Sequence, residues 1–342
     1  MTDTTNANIG TENTDKKDKG RRISSLEMRR SKPGYRIHDG ITSMTNVVSN
    51  NVTNVVINSE SPKYIPKYGW IPDIPDNRDY QYSDLRKKME EIAEKEKEAT
   101  SANVSPVRKR TIITVDGVQI PTPPLPFVDL RTTDSPIFNQ GDLNSCTSNA
   151  LVGTLQFLEK KDKKEYIELS RLFVYYDQRV VENTINIDIG AKLRDGIKTL
   201  AKLGVCSETC WPYNIQNFAV QPGHRCYREA ANHMILTYYR INTLDEMKHC
   251  LDNGYPFVFG FSVYQSMETE EVAQTGIVNM PTADESLLGG LTVTCVGYDD
   301  NTNRFLVRNS RGINWGQKGY MTIPYAYLEN RNLSDDFWAI FR

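Results

Sequence analysis

The residues best placed to do chemistry lie in the run NQGDLNSCTSNALVGTLQFLEKK, residues 139–161. A polar, turn-forming stretch reaches Cys146 just where Leu151, Leu155 and Leu158 begin an apolar spacing of helical type. A cysteine at a helix N-terminus feels the partial positive charge of unpaired backbone N–H groups, so its pKa is expected to fall toward thiolate. The chemistry this predicts is nucleophilic attack by sulfur. Gln140 stands six residues earlier, across a Gly-Asp-Leu-Asn turn that can fold its amide back toward the thiol. That amide and the N–H of Cys146 then form a donor pair for a developing oxyanion. Downstream, RNSRGINWGQKGY places Asn309 at the end of an apolar strand, before a turn containing Gly and Trp.

The other thiols read differently. Cys295 alternates with Val293 and Gly297 on an expected buried strand, and Cys250 falls on a helical pattern, so both are expected in the core. Cys206, Cys210 and Cys226 cluster in the helical half, where a Cys206–Cys226 bridge is the alternative to reduced thiols. No paired C-x-x-C units stand at zinc-ribbon spacing, so no metal set and no cofactor are expected. Of the four histidines, His38 lies in the tail, His224 in a Pro-Gly loop, His233 near a strand start and His249 in a helical pattern. Structural or surface roles are expected for all four, with His224 the best placed to move toward Cys146.

These groups need elements to position them. Residues 1–60 are rich in Asn, Thr, Ser, Lys and Arg, a composition that cannot offset the entropy of ordering, and read as a flexible tail. The segment 61–126 reads as an extension. Ser83 is its expected N-cap, heading a helix with Leu85, Met89, Ile92 and Ala93 on one face, and a short hairpin about Asp116-Gly117 and the hinge PTPPLP follow. From residue 127 onward come helical patterns, and beyond about 255 a series of strands, PFVFGFSV, LTVTCVGYD, RFLVRNS and GYMTIPY. Helices first and strands afterwards predict an α+β fold, with a helical lobe over about 127–254, a sheet lobe over about 255–342 and a cleft between them. A net charge of −2 provides no field for nucleic acid or anionic membrane, so neither is expected as a partner. No apolar run of signal-peptide or membrane-spanning length occurs, which favours a cytoplasmic or particle-packaged protein over a secreted one.

Three ordered motifs carry a resemblance. QGDLNSC resembles Q-G-x-x-x-S-C of the papain-like, cathepsin-like cysteine peptidases, VGYDD the stretch after their histidine, and NSRGINWGQKGY their N-S-W-G-x-x-W-G-x-x-G-Y. The lead-in GWIPDIPDNRDY is similar to one preceding the peptidase unit in a branch of that family, so the likeness covers roughly residues 65–342. It implies a papain-like two-lobed fold acting on extended peptide or protein substrates, with Cys146 as nucleophile, Gln140 as oxyanion donor and Asn309 as the group that orients an imidazole. It assigns Gly190 and Gly290 to substrate binding; for Gly190 a turn glycine is the alternative. It also implies that the 61–126 extension is propeptide-like and able to occupy the cleft as an inhibitor.

One departure matters most. Five residues before Val296, where the family carries its catalytic histidine, this chain has Leu291. Leucine can neither accept the thiol proton nor protonate a leaving amine. Arg311 likewise replaces the tryptophan that shields the Asn–His hydrogen bond in the family. A guanidinium there could stabilise a thiolate by its charge but cannot act as a base at ordinary pH. The expectation is therefore an inactive or strongly impaired family member. The alternatives are an active thiol endopeptidase made as a zymogen with another base, and a non-enzymatic peptide-binding or structural component.

Overall fold

The computed structural model describes residues 68–100, 113–115, 118–120 and 125–342. The tail, His38 and the basic link SPVRKR lie outside them. In chain order the elements begin with β1 (Trp70–Ile71), α1 (Tyr82–Thr100), the antiparallel hairpin β2 (Ile113–Val115) with β3 (Val118–Ile120), and β4 (Phe127–Asp129). Next come α2 (Cys146–Lys161), α3 (Arg171–Glu182), β5 (Ala191–Lys192), α4 (Leu193–Lys202) and α5 (His224–Ala230). The remainder is β6 (Thr237–Arg240), α6 (Leu244–Asp252), β7 (Phe257–Tyr264), α7 (Glu270–Thr275), β8 (Leu287–Asp299), β9 (Arg304–Arg308), β10 (Tyr320–Pro324), α8 (Tyr325–Glu329) and β11 (Ser334–Phe341).

The main sheet is antiparallel in the order β10-β9-β8-β7-β11-β6, with β4 also paired to β8. It reaches beyond the 255–342 segment, because β4 and β6 come from the chain before it. Its central strands are buried on both faces, and their side chains alternate accordingly. Phe257, Phe259, Phe337 and Ala339 join one core with α6, α8 and the buried face of α1. Val258, Trp338 and Ile340 point the other way, into the core of Leu151, Leu155, Phe173, Leu193 and Ile197 from α2, α3 and α4. The fold is α+β with two lobes, and α2 lies against β8 between the two cores.

Local signals explain most element ends. Ser170 caps α3 by accepting from Phe173 N, and Thr243 caps α6 by accepting from Glu246 N. α1 starts at Tyr82, so Ser83 lies inside its first turn rather than capping it. Leu85 and Met89 bury fully, and Ile92 packs partly against the same core. His224 heads α5 rather than lying in a loop. Among the described residues no helix is long and apolar enough to cross a membrane.

Candidate active site

Cys146 opens α2, and its surroundings are fixed from three sides. Asn144 N donates to Asp188 Oδ1 at 3.0 Å and Asn144 Nδ2 to the Asp188 carbonyl at 2.7 Å, while Tyr175 Oη donates to the same carboxylate at 2.5 Å. Tyr213 Oη donates to Gln140 O at 2.9 Å and lies 2.5 Å from Ser145 Oγ. Gln140 N donates to Ser310 O at 2.9 Å, tying the turn to the Asn309 strand end. The polar turn is therefore braced before the helix begins.

The thiol is fully buried, and Gly69 of the extension lies against it. The backbone amides of Thr292, Gly69 and Thr147 approach the sulfur and favour its thiolate. Burial nevertheless dominates and pushes the Cys146 pKa above the ordinary cysteine value. This reverses the lowering expected from the helix terminus alone. The helix field acts on an exposed thiol, whereas this one has lost its solvent.

The covering segment is Tyr68–Ile71. Gly69 O accepts from Ala191 N at 2.9 Å, and β1 pairs in parallel with β5 directly after Gly190. Gly190 has φ +91°, and a Cβ there would stand 2.1 Å from Gly69 O. A Cβ on Gly69 itself would meet Asn144 O at 1.9 Å. On the opposite wall the Trp70 indole lies so close that a Cβ on Gly260 would be 2.0 Å from it and one on Gly290 2.6 Å. Glycine on both walls is what lets a tryptophan-bearing strand enter.

Acidic groups hold the segment in place. Asp336, with φ +56° at a bulge in β11, is buried and accepts from Trp70 Nε1 at 3.0 Å, Asp73 N at 2.8 Å and Arg240 Nη2 at 3.0 Å. Asp73 accepts from Arg194 N at 3.1 Å and Trp338 Nε1 at 3.2 Å. Burial, then the neighbouring Asp336 charge, pushes the Asp73 carboxyl up to about 7. Tyr68 Oη donates to Glu268 Oε1 at 2.8 Å, and Glu268 forms a two-pronged pair with Arg311 at 2.8 and 2.5 Å. That pair engages the guanidinium that the sequence left as one able to stabilise a thiolate by its charge. Asp336, Asp73 and Glu268 carried no recognisable signal in the sequence.

Leu291 is buried on β8 opposite Phe261, and the next amide, Thr292 N–H, is one of the three that approach the sulfur. The Thr292 hydroxyl is near enough to ease the thiol's pKa slightly, yet it lies outside ordinary hydrogen-bond geometry. Gln140 Nε2 donates to Leu143 O at 3.0 Å, and its Oε1 accepts from Ser310 Oγ at 2.6 Å. Asn309 Oδ1 accepts from Ser310 N at 2.8 Å, while its buried Nδ2 finds no partner among the described residues. Asn309 and Thr292 both line a cavity of about 10 Å³. His233 is engaged by Glu159 at 2.8 Å, and His249 contacts Tyr82 and Asn253, each at 3.3 Å. Cys250 and Cys295 are buried in the sheet-lobe core.

Residues 126–335 match the family model described as papain family cysteine protease. The chain is 37% identical, over 80% of its length and 86% of the relative's, to an uncharacterized peptidase C1-like protein of Acanthamoeba polyphaga mimivirus. It is also similar to xylellain, a cysteine protease from Xylella fastidiosa, at 37% identity and TM-score 0.65, covering 80% of this chain and 96% of that one. Digestive procathepsin L 3 of Tenebrio molitor shares the fold at 17% identity and TM-score 0.53, covering 76% of this chain and 90% of that one. With the cysteine-headed helix, the two lobes and these matches together, the chain belongs to the papain family of cysteine proteases.

Proposed function

We propose that this chain is a peptidase-family protein whose cleft is filled by its own N-terminal extension and whose hydrolytic chemistry is strongly impaired, because Leu291 stands where the general base belongs. Cys146 is the nucleophile-position thiol, the Gln140 side chain the oxyanion donor and Asn309 the amide that would orient an imidazole. Gly190 and Gly290 line the path of an extended peptide, and the propeptide-like extension 61–126 supplies that peptide in cis. The observation carrying this reading is the sulfur's environment: three backbone N–H donors approach it, and the residue beside the Thr292 donor is a leucine.

Acylation of a thiol by a peptide needs a group that takes the thiol proton and returns it to the leaving amine. The N–H groups around Cys146 can only donate, and Arg311 is paired with Glu268. His233 and His249 are held by partners elsewhere in the fold. The chemistry left to the cleft is binding: strand pairing along Gly190–Lys192 and a glycine-lined recess for an aromatic side chain.

The test restores the base. Leu291→His is made in the full chain and in a Gly69→Ala chain whose covering strand is dislodged, and hydrolysis of fluorogenic peptides is compared with the matching parents. A gain of roughly 10²–10⁴ in rate is expected from the histidine. Turnover by Gly69→Ala alone at ordinary enzyme rates, about 1–10³ s⁻¹, overturns the reading.

A further inference from the structure

Away from the cleft, the helical lobe brings the sulfurs of the Cys206, Cys210 and Cys226 cluster into one place. Cys206 follows α4 and is fixed by Ser170 N donating to its carbonyl at 2.8 Å. Cys210 closes the next turn, donating its N–H to Ser207 O at 3.0 Å. Cys226 lies in the first turn of α5. Their sulfurs all lie within 4.8 Å of one another, with Cys210 Sγ and Cys226 Sγ 2.8 Å apart. All three are free thiols. Cys206 and Cys226 are buried and Cys210 is partly exposed, so the cluster has one open side.

A carboxylate completes the set. Glu229 stands three residues after Cys226, one helical turn on, beside the Cys210 thiol and accepting from Ser207 N at 2.9 Å. We propose that Cys206, Cys210 and Cys226, with Glu229 beside them, form a binding site for a single thiophilic d¹⁰ metal ion, zinc being the reference case.

Geometry and chemistry both fit. Zn–S bonds of ~2.3 Å put the sulfurs of a tetrahedral site about 3.8 Å apart, inside the 4.8 Å that spans the three, so that Cys210 Sγ and Cys226 Sγ, 2.8 Å apart, move ~1 Å away from each other on binding. Thiolate donors select zinc and other soft ions over magnesium or calcium. Without an ion the cluster is a poor hydrogen-bonding arrangement, since S–H is a weak donor and sulfur a weak acceptor. Binding exchanges three S–H bonds for three metal–sulfur bonds and releases three protons to solvent; no electrons move. The ion would also act on the cleft. The turn carrying Cys210 runs on to Tyr213, whose hydroxyl braces Gln140 and Ser145 ahead of Cys146.

The test uses the untagged, full-length, reduced chain carrying Cys146→Ser, so that the cleft thiol contributes no signal. Zinc, cadmium and cobalt are titrated separately, reading sulfur-to-metal charge transfer, released protons and metal content after gel filtration. One ion per chain is expected, with about three protons released per ion. Cys210→Ser, at the partly exposed position, and Cys226→Ser should each weaken binding at least ~10-fold, whereas Cys295→Ser should not. Absence of charge transfer from the folded, reduced chain overturns the proposal. So does equal affinity in Cys210→Ser, or a Cys226 disulfide in the isolated protein whose reduction yields no metal binding.

Discussion

Gly69→Ala gives the sharpest perturbation of the covered cleft. The added methyl would sit 1.9 Å from Asn144 O and 2.5 Å from its carbonyl carbon, both backbone atoms of the braced turn, so the strand must leave rather than adjust. Leaving breaks at least the Ala191 N–H to Gly69 O bond and the Gly69 N–H to sulfur contact. At ~1 kcal/mol net for each, the closed state loses about 2 kcal/mol, which is roughly a 30-fold shift toward the open state. Labelling of Cys146 by iodoacetamide under native conditions, followed by peptide mass spectrometry, should therefore accelerate by at least ~30-fold. Cys250 and Cys295, buried in the sheet-lobe core, serve as internal controls and should stay unlabelled. An unchanged Cys146 rate in a folded Gly69→Ala chain would refute the claim that residues 68–71 are what shields the sulfur.

Other outcomes follow from the same contacts. Tyr68→Phe removes a hydrogen bond to the charged Glu268, worth roughly 1.5 kcal/mol, and should raise Cys146 labelling about tenfold; no increase would mean that Tyr68 does not hold the strand. Asp336→Ala strands the donors of Trp70, Asp73 and Arg240 and should cost roughly 3–5 kcal/mol in denaturant unfolding; a loss under ~1 kcal/mol would contradict its role as the hub. Burial first, then Arg86, pushes His249 down to about 4, so the unfolded chain takes up its proton first as pH falls. The stability it contributes is present above ~6.5 and is lost toward about 4, by up to roughly 3 kcal/mol. His249→Gln should flatten that part of the pH–stability curve, and an identical slope in variant and parent would exclude the assignment.

What was legible in the sequence was local. The Cys146 turn, the strand-end Asn309 and the helix and strand periods all lie within short windows, where spacing and turn chemistry act directly. What escaped was set by distant contacts. Asp336 meets Trp70 across 266 residues, from a left-handed conformation that nothing in the run SDDF announces. Glu268 matters only because Tyr68 and Arg311 converge on it. The direction of the thiol's pKa shift also depended on knowing what covers it, since helix-terminus reasoning sees only the field and not the lost solvent. Strand β6 reads weakly because three of its four residues are only half-buried, and its place in the sheet comes from pairing with β11.

The account stands or falls on whether the cleft thiol has a proton-accepting partner, and the pH dependence of Cys146 alkylation in the Gly69→Ala chain measures this directly. A sulfur without an imidazole should gain reactivity through one transition above about pH 7, approaching the ~8.5 of an ordinary cysteine. Full reactivity already present near pH ~5, the mark of a thiolate held in an ion pair with a protonated histidine, would contradict the central claim.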